Sequence, residues 1–162
     1  MTMLFPHRPW DAHSCLPPPM PGPALLWQAW VDVVFVHWRV EPSSVAHLLP
    51  AGTRPDTLDG STYVGLVAFR VPSTLVLKSL PVGAFDEVNV RLYSVDEHGR
   101  HGVVFLTMDT DSAPMVATAR SLSGLPYLWS DVSLHSNLDG RRAGAVRRRF
   151  PGKASGSWNL RV

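Results

Sequence analysis

The sequence predicts an α+β domain organised around a mostly antiparallel sheet, with two short helices. Three observations predict it. Several stretches alternate side chains with the period of two that a strand imposes, turn-rich segments join consecutive stretches, and only two segments carry helical spacing between a start and a stop signal. The 162-residue chain is long enough for one domain with a real core, and its 15 prolines and 12 glycines call for many turns.

Residues 1–24 read as a proline-rich lead-in arm, because Pro17, Pro18, Pro19, Pro21 and Pro23 fit neither a helix interior nor a central strand. Residues 25–162 read as a single domain whose last residues, SWNLRV, belong to a β segment. The amino end lacks the basic-then-apolar order of a signal peptide, and no apolar run approaches the roughly 20 residues a membrane helix needs. Cys15 is the single cysteine, which excludes an internal disulfide framework and fits a cytoplasmic location.

Residues 30–40, WVDVVFVHWRV, place Val31, Val33, Phe35, His37 and Arg39 on one face and Val34, Val36, Trp38 and Val40 on the other. Both faces are mostly apolar, so this strand is expected in the middle of the sheet, covered on both sides. EPSSVAHLLP then offers proline at a helix start, Val45, Leu48 and Leu49 at helical spacing, and Pro50 as a stop. Residues 51–61 read as a loop, and STYVGLVAFRV as a second strand in which Gly65 marks a bulge or a close approach. STLVLKSLPVG reads as a further strand or part of a flexible lid.

FDEVNVRLYSV and HGVVFLTMD, joined by DEHGR, form the clearest hairpin, with His98 and His101 in or beside its turn. DSAPMVATARSLSG carries an Asp/Ser cap, Pro114 in the first turn, Met115, Ala119 and Leu122 on one stripe, and Gly124 as a stop, which predicts the second helix. LPYLWSDVSLHS and AVRRRFPGKASGSWNLRV supply the last strands, the final two joined through PGKASG.

Residues 85–93, FDEVNVRLY, separate Val88, Val90 and Leu92 from a face carrying Phe85, Glu87, Asn89, Arg91 and Tyr93. Alternation alone favours a solvent-facing row, the usual setting for Glu and Arg. Glu87 and Arg91 stand about 13 Å apart along a strand, beyond direct contact, and Asn89 lies between them as a neutral donor and acceptor.

The order WQAWVDVVFVHWRV, LLPAGTRPDTLDGSTYVGLVAFRV, FDEVNVRLYS, GVVFLTMDTD and ATARSLSGLPY resembles the YqjF-like family of unknown function, which is similar in fold to acetoacetate decarboxylase. The resemblance covers about residues 25 to 136, and beside that family, whose members run on for several more strands, it implies that the chain is short and its barrel incomplete at the carboxyl end. It implies a cone-like antiparallel β-barrel with a central cavity, into which the glutamate of Phe85-Asp86-Glu87 turns. It also implies that the chain lacks the lysine pair with which related decarboxylases form a Schiff base, because Tyr127 and Leu128 follow Pro126 at that place. Neither remaining lysine, Lys78 or Lys153, reads as a buried amine.

On this reading Glu87, Asn89, Arg91 and Tyr127 line a site for a small polar or carboxylate-bearing molecule, with His37 beside them. Arg91 offers a planar fork for a carboxylate, and Phe85 and Tyr93 flank an apolar portion. No catalytic residue is assigned, and neither a cofactor nor a metal site is expected. No Ser/His/Asp order, phosphate loop or dinucleotide fingerprint is present. Arg120, on the second helix, is expected to pair with an acid of the sheet.

The tail after residue 140 holds seven of the 15 bases and none of the 13 acids. Without interleaved aromatics it reads as a strand with a solvated face, which argues against nucleic acid as a partner. The alternative function is a non-catalytic assembly protein that uses this tail and an open sheet edge, across which copies of the chain would pair.

Overall fold

The structure, a computed structural model, describes residues 26–76, 80–81, 83–137 and 139–161. The lead-in arm, Cys15, Lys78 and part of the STLVLKSLPVG segment lie outside the described residues. Among the described residues no helix is long and apolar enough to cross a membrane.

The strands are β1 (Leu26–Gln28), β2 (Val31–Val40), β3 (Thr53–Pro55), β4 (Thr62–Val71), β5 (Thr74–Val76), β6 (Leu80–Pro81), β7 (Phe85–Asp96), β8 (His101–Thr110), β9 (Tyr127–Ser136), β10 (Arg141–Phe150) and β11 (Ser155–Arg161). Two helices interrupt them. α1 (Pro42–Val45) runs into a 3-10 turn over Ala46–Leu48, and α2 (Ala113–Ser123) crosses from β8 to β9. The main sheet has the order β11-β10-β9-β8-β7-β4-β2, with β3 paired to the far end of β7, and β1-β5-β6 form a small second sheet. The architecture is the expected α+β one, mostly antiparallel.

Local chemistry explains the elements that position the site. Ser112 caps α2 by accepting a hydrogen bond from the Met115 amide at 3.3 Å, and Gly124 ends the helix at φ 67°, a conformation that glycine adopts without strain. The helix that results carries the chain between β8 and β9, which are the parallel pair in an otherwise antiparallel sheet. Met115 of α2 packs with Val67, Phe69, Val71, Phe85, Met108 and Tyr127 in the apolar core. Phe69 is stacked beneath Trp30 with ring centroids 4.1 Å apart.

The opposite face of the sheet carries Ala68, Val88, Leu134 and Gly144, and across it the two ends of the sheet reach each other. Arg70 of β4 bonds Asp86 through Nε at 2.8 Å and Nη2 at 3.0 Å, and Nη2 also donates to the Leu134 carbonyl of β9 at 3.3 Å. Asp32 of β2 accepts from Ser136 and from Arg142, each at 3.3 Å. These contacts curl the sheet into a half-barrel.

One expectation is corrected. β2 is not central: it is the edge of the main sheet, with β4 its neighbour. Phe35 is 57% exposed and Trp38 51%, on opposite faces of the strand. Apolar alternation on both faces records that a strand is suited to being covered, not which neighbour covers it, and among the described residues none does.

Candidate functional site

β7 carries the site because its register puts one polar row against the core. Phe85, Glu87, Asn89, Arg91 and Tyr93 share a face with Val67, Phe69 and Val71 of β4, with Phe105 and Met108 of β8, and with Tyr127 of β9. Glu87 is 2% exposed and Asn89 1%, so the inner half of the row is sealed from water. The face is the one α2 covers, not the one over which the ends of the sheet meet, because the large apolar side chains of β4 and β8 there need the helix as cover.

The row is one hydrogen-bonded chain. The Tyr127 hydroxyl donates to Glu87 Oε2 at 3.1 Å, Asn89 Nδ2 donates to Glu87 Oε1 at 3.1 Å, and Arg91 Nε donates to Asn89 Oδ1 at 2.9 Å. Asn89 thus bridges an acid and a base too far apart to touch. The Arg91 guanidinium lies over the Phe105 ring, 5.1 Å from its centroid. Its Nη2 is buried with no hydrogen-bond partner, one of three such side-chain atoms among the described residues, with Thr62 Oγ1 and Trp158 Nε1.

Next along the row, the Tyr93 hydroxyl and His37 Nε2 are 2.7 Å apart. Here Gly65 of β4 is needed as a close approach: a Cβ would lie 3.0 Å from the Tyr93 hydroxyl and 3.2 Å from both Arg91 Cγ and His37 Nε2. The register through Gly65 is continuous, so it is not a bulge. All five sequence-derived residues therefore fall on one face, with His37 joined through Tyr93. Tyr93 and Gly65 belong to the arrangement as well, and the alternation of FDEVNVRLY already pointed to Tyr93.

Burial pushes the Glu87 carboxyl above its ordinary range, opposed by the hydrogen bonds from Asn89 and Tyr127 and by the charge of Arg91. Burial first, and then Glu87, pushes the Tyr127 phenol up. Burial pulls Arg91 down, partly offset by Tyr93 and Glu87. Because the folded-state value of Glu87 is raised, its stabilising contribution is complete below the ordinary carboxylate value and is lost as pH rises through the folded value. Urea midpoints from about pH 4 to about pH 8 are expected to fall more for the parent protein than for Glu87→Gln, which does not titrate there. Parallel curves for the two proteins would contradict this assignment.

Other candidates lie elsewhere. Among the described residues Arg120 pairs with no acid of the sheet; its Nη1 donates to the Tyr127 carbonyl at 3.0 Å and fixes the exit from α2. His101 Nδ1 is 2.6 Å from Asp56 Oδ2, and His98 sits in the β7–β8 turn, 4.0 Å from Asp96. Among the described residues no three His, Cys, Asp or Glu side chains converge on a metal position.

Residues 27–161 match the family DUF2071, described as an uncharacterized conserved protein. The uncharacterized protein YqjF of Bacillus subtilis (strain 168) is 34% identical over 119 residues, which cover 71% of this chain and 48% of that protein. The chain thus spans about half the length of the curated relative it matches. Among solved structures, acetoacetate decarboxylase from Legionella pneumophila subsp. pneumophila str. Philadelphia 1 is similar with a TM-score of 0.62 at 17% identity, over 79% of this chain and 50% of that one. The enduracididine biosynthesis enzyme MppR complexed with pyruvate is similar with a TM-score of 0.61 at 17% identity, over 100% of this chain and 65% of that one. At such identities the likeness is one of fold.

Proposed function

The chain belongs to the family DUF2071 and has an acetoacetate decarboxylase-like fold, and from that premise we propose that the Glu87–Asn89–Arg91 row binds a small carboxylate-bearing molecule at its Arg91 end. One observation carries the reading: the buried, unpartnered Nη2 of Arg91. A buried donor without an acceptor costs free energy, and an incoming carboxylate oxygen removes that cost. Asn89 and the Phe105 ring hold the guanidinium plane in place, so little of its freedom remains to be lost on binding.

The surroundings support the same chemistry. At the outer end of the row, Arg91 and Tyr93 are half-buried and His37 is exposed, so this end lies nearer to solvent than Glu87 and Asn89. The bare backbone at Gly65 lets Tyr93, Arg91 and His37 draw together over it. MppR, a fold relative, is described in complex with pyruvate, a small carboxylate. The reading is one of binding rather than imine chemistry, because Tyr127 and Leu128 stand where the resemblance to decarboxylases calls for lysines, and Lys153, the described lysine, lies in the β10–β11 turn.

Pyruvate at about 100 times its dissociation constant is expected to raise the melting temperature by about 5–10 °C, as ligand linkage in a domain of this size implies. Arg91→Lys keeps the charge but loses the fork, and is expected to abolish most of that shift. An equal shift in both proteins, or none in the parent with pyruvate or acetoacetate, would sink the proposal.

A further inference from the structure

A second cluster occupies the same face of the sheet, farther along it. The register runs from Glu87 through Thr110 to Trp129, and on the next rung from Asp131 through Arg147 to Ser155. Trp129, Asp131, Arg147, Arg149, Lys153 and Ser155 line an open hollow of about 700 Å³. That volume suits a small ligand.

The charges in the hollow do not balance. Asp131 is its acid, and two guanidinium groups share it. Arg147 donates to Asp131 Oδ2 through Nη2 at 2.6 Å and Nε at 3.1 Å, while Arg149 reaches Oδ1. Arg148 also borders the hollow, but its Nε and Nη2 are turned to Asp109 on the other face. Lys153 has no partner among the described residues, so three cations and one carboxylate, Arg147, Arg149, Lys153 and Asp131, line the hollow. The side chains of Arg147 and Arg149 are 76% and 51% exposed, so their remaining N–H groups are open to a ligand. Arg149 also lies over the Trp129 ring, 5.3 Å from its centroid, which limits its movement.

We propose that this hollow is a binding site for a phosphate-type polyanion, held by Arg147, Arg149 and Lys153 as donors. Two forked guanidinium groups and one ammonium suit a group with several acceptor oxygens and more than one negative charge. Asp131 acts as a stand-in anion: it holds the forks in place and competes with the ligand for them. The site is separate from the Glu87–Arg91 row and does not depend on it.

Inorganic pyrophosphate is the probe, titrated calorimetrically into the full chain at low and at high salt. The parent protein is expected to bind it saturably, and more weakly at high salt. Arg147→Gln/Lys153→Gln is expected to weaken binding about tenfold or more, since each lost contact is a charge-assisted hydrogen bond. Asp131→Asn is expected to tighten binding several-fold, about fivefold, because the competing carboxylate is gone. A merely structural Asp131 would lower the melting temperature and leave affinity unchanged or weaker. That result would overturn the proposal, as would failure of the parent to bind pyrophosphate. So would binding of a single-stranded oligonucleotide where pyrophosphate does not bind. Circular dichroism melts of each variant separate loss of binding from loss of fold.

Discussion

Arg148→Ala is expected to lower stability by about 3–5 kcal/mol, the usual cost of removing one partner from a buried ion pair. Asp109 of β8 is 5% exposed, and Arg148 of β10 grips it with two parallel hydrogen bonds, Nε to Oδ1 and Nη2 to Oδ2, each at 3.1 Å. Ser130 of β9, between them, donates to Oδ1 at 2.6 Å. The pair therefore ties three adjacent strands together from one face. With the guanidinium gone, the carboxylate keeps only the serine, and its other oxygen is left without a donor inside the protein. The melting temperature should fall by about 6–20 °C for a domain of this size. Equilibrium urea unfolding checks the value, and a loss below about 1 kcal/mol would show that water reaches Asp109. Replacing both partners together, Arg148→Met with Asp109→Leu, should recover much of the loss, because the penalty lies in the unpaired charge.

Gly144→Ala should cost a comparable amount, about 3 kcal/mol, at the upper end of what overpacking produces. Gly144 of β10 pairs with Trp158 of β11, and the indole lies across the glycine so closely that a Cβ would overlap its Cζ2, Cη2 and Cε2 carbons. A methyl group therefore displaces the ring, which lines a small cavity together with Ala68 and Leu134. Urea midpoints for the parent and variant are the measurement. A change within about 0.5 kcal/mol would mean that the indole has another place to go.

Much of the site could be read from the chain before its fold was known. The alternation of FDEVNVRLY separated the polar row from Val88 and Leu92, and the spacing placed Asn89 between two charges that cannot meet. Parity on residues 30–40 grouped His37 with Phe35 and Arg39. The Ser112 and Gly124 signals fixed the ends of α2, and so set Tyr127 at the start of the next strand. Each of these is a local property, settled within a few residues.

What was illegible depends on register between distant strands. Alternation made β2 look central, because it reports which faces are apolar and carries nothing about the neighbours. The run Arg147, Arg148, Arg149 read as a single solvated face, yet the strand sends Arg148 to the buried Asp109 while its neighbours grip Asp131. The aromatic partner of that run comes from β9, as Trp129 beneath Arg149, so no inspection of the run itself would reveal it. The fit of Trp158 over Gly144 likewise exists only once β10 and β11 are aligned.

The parallel seam divides the main sheet into two units of different origin along the chain. On one side β9, β10 and β11 follow each other as hairpins, and on the other β7 and β8 do the same. The seam itself consists of three rungs, Met108 with Tyr127, Asp109 with Leu128 and Thr110 with Trp129, and closing it requires the whole of α2 to be looped across. Loop closure of that kind costs entropy before any rung forms, whereas the hairpins on either side need only a tight turn. Asp109 and Tyr127 both sit on those rungs, so the charge clamp on one face and the polar row on the other are completed in a single event: the docking of a three-strand meander onto the rest of the sheet.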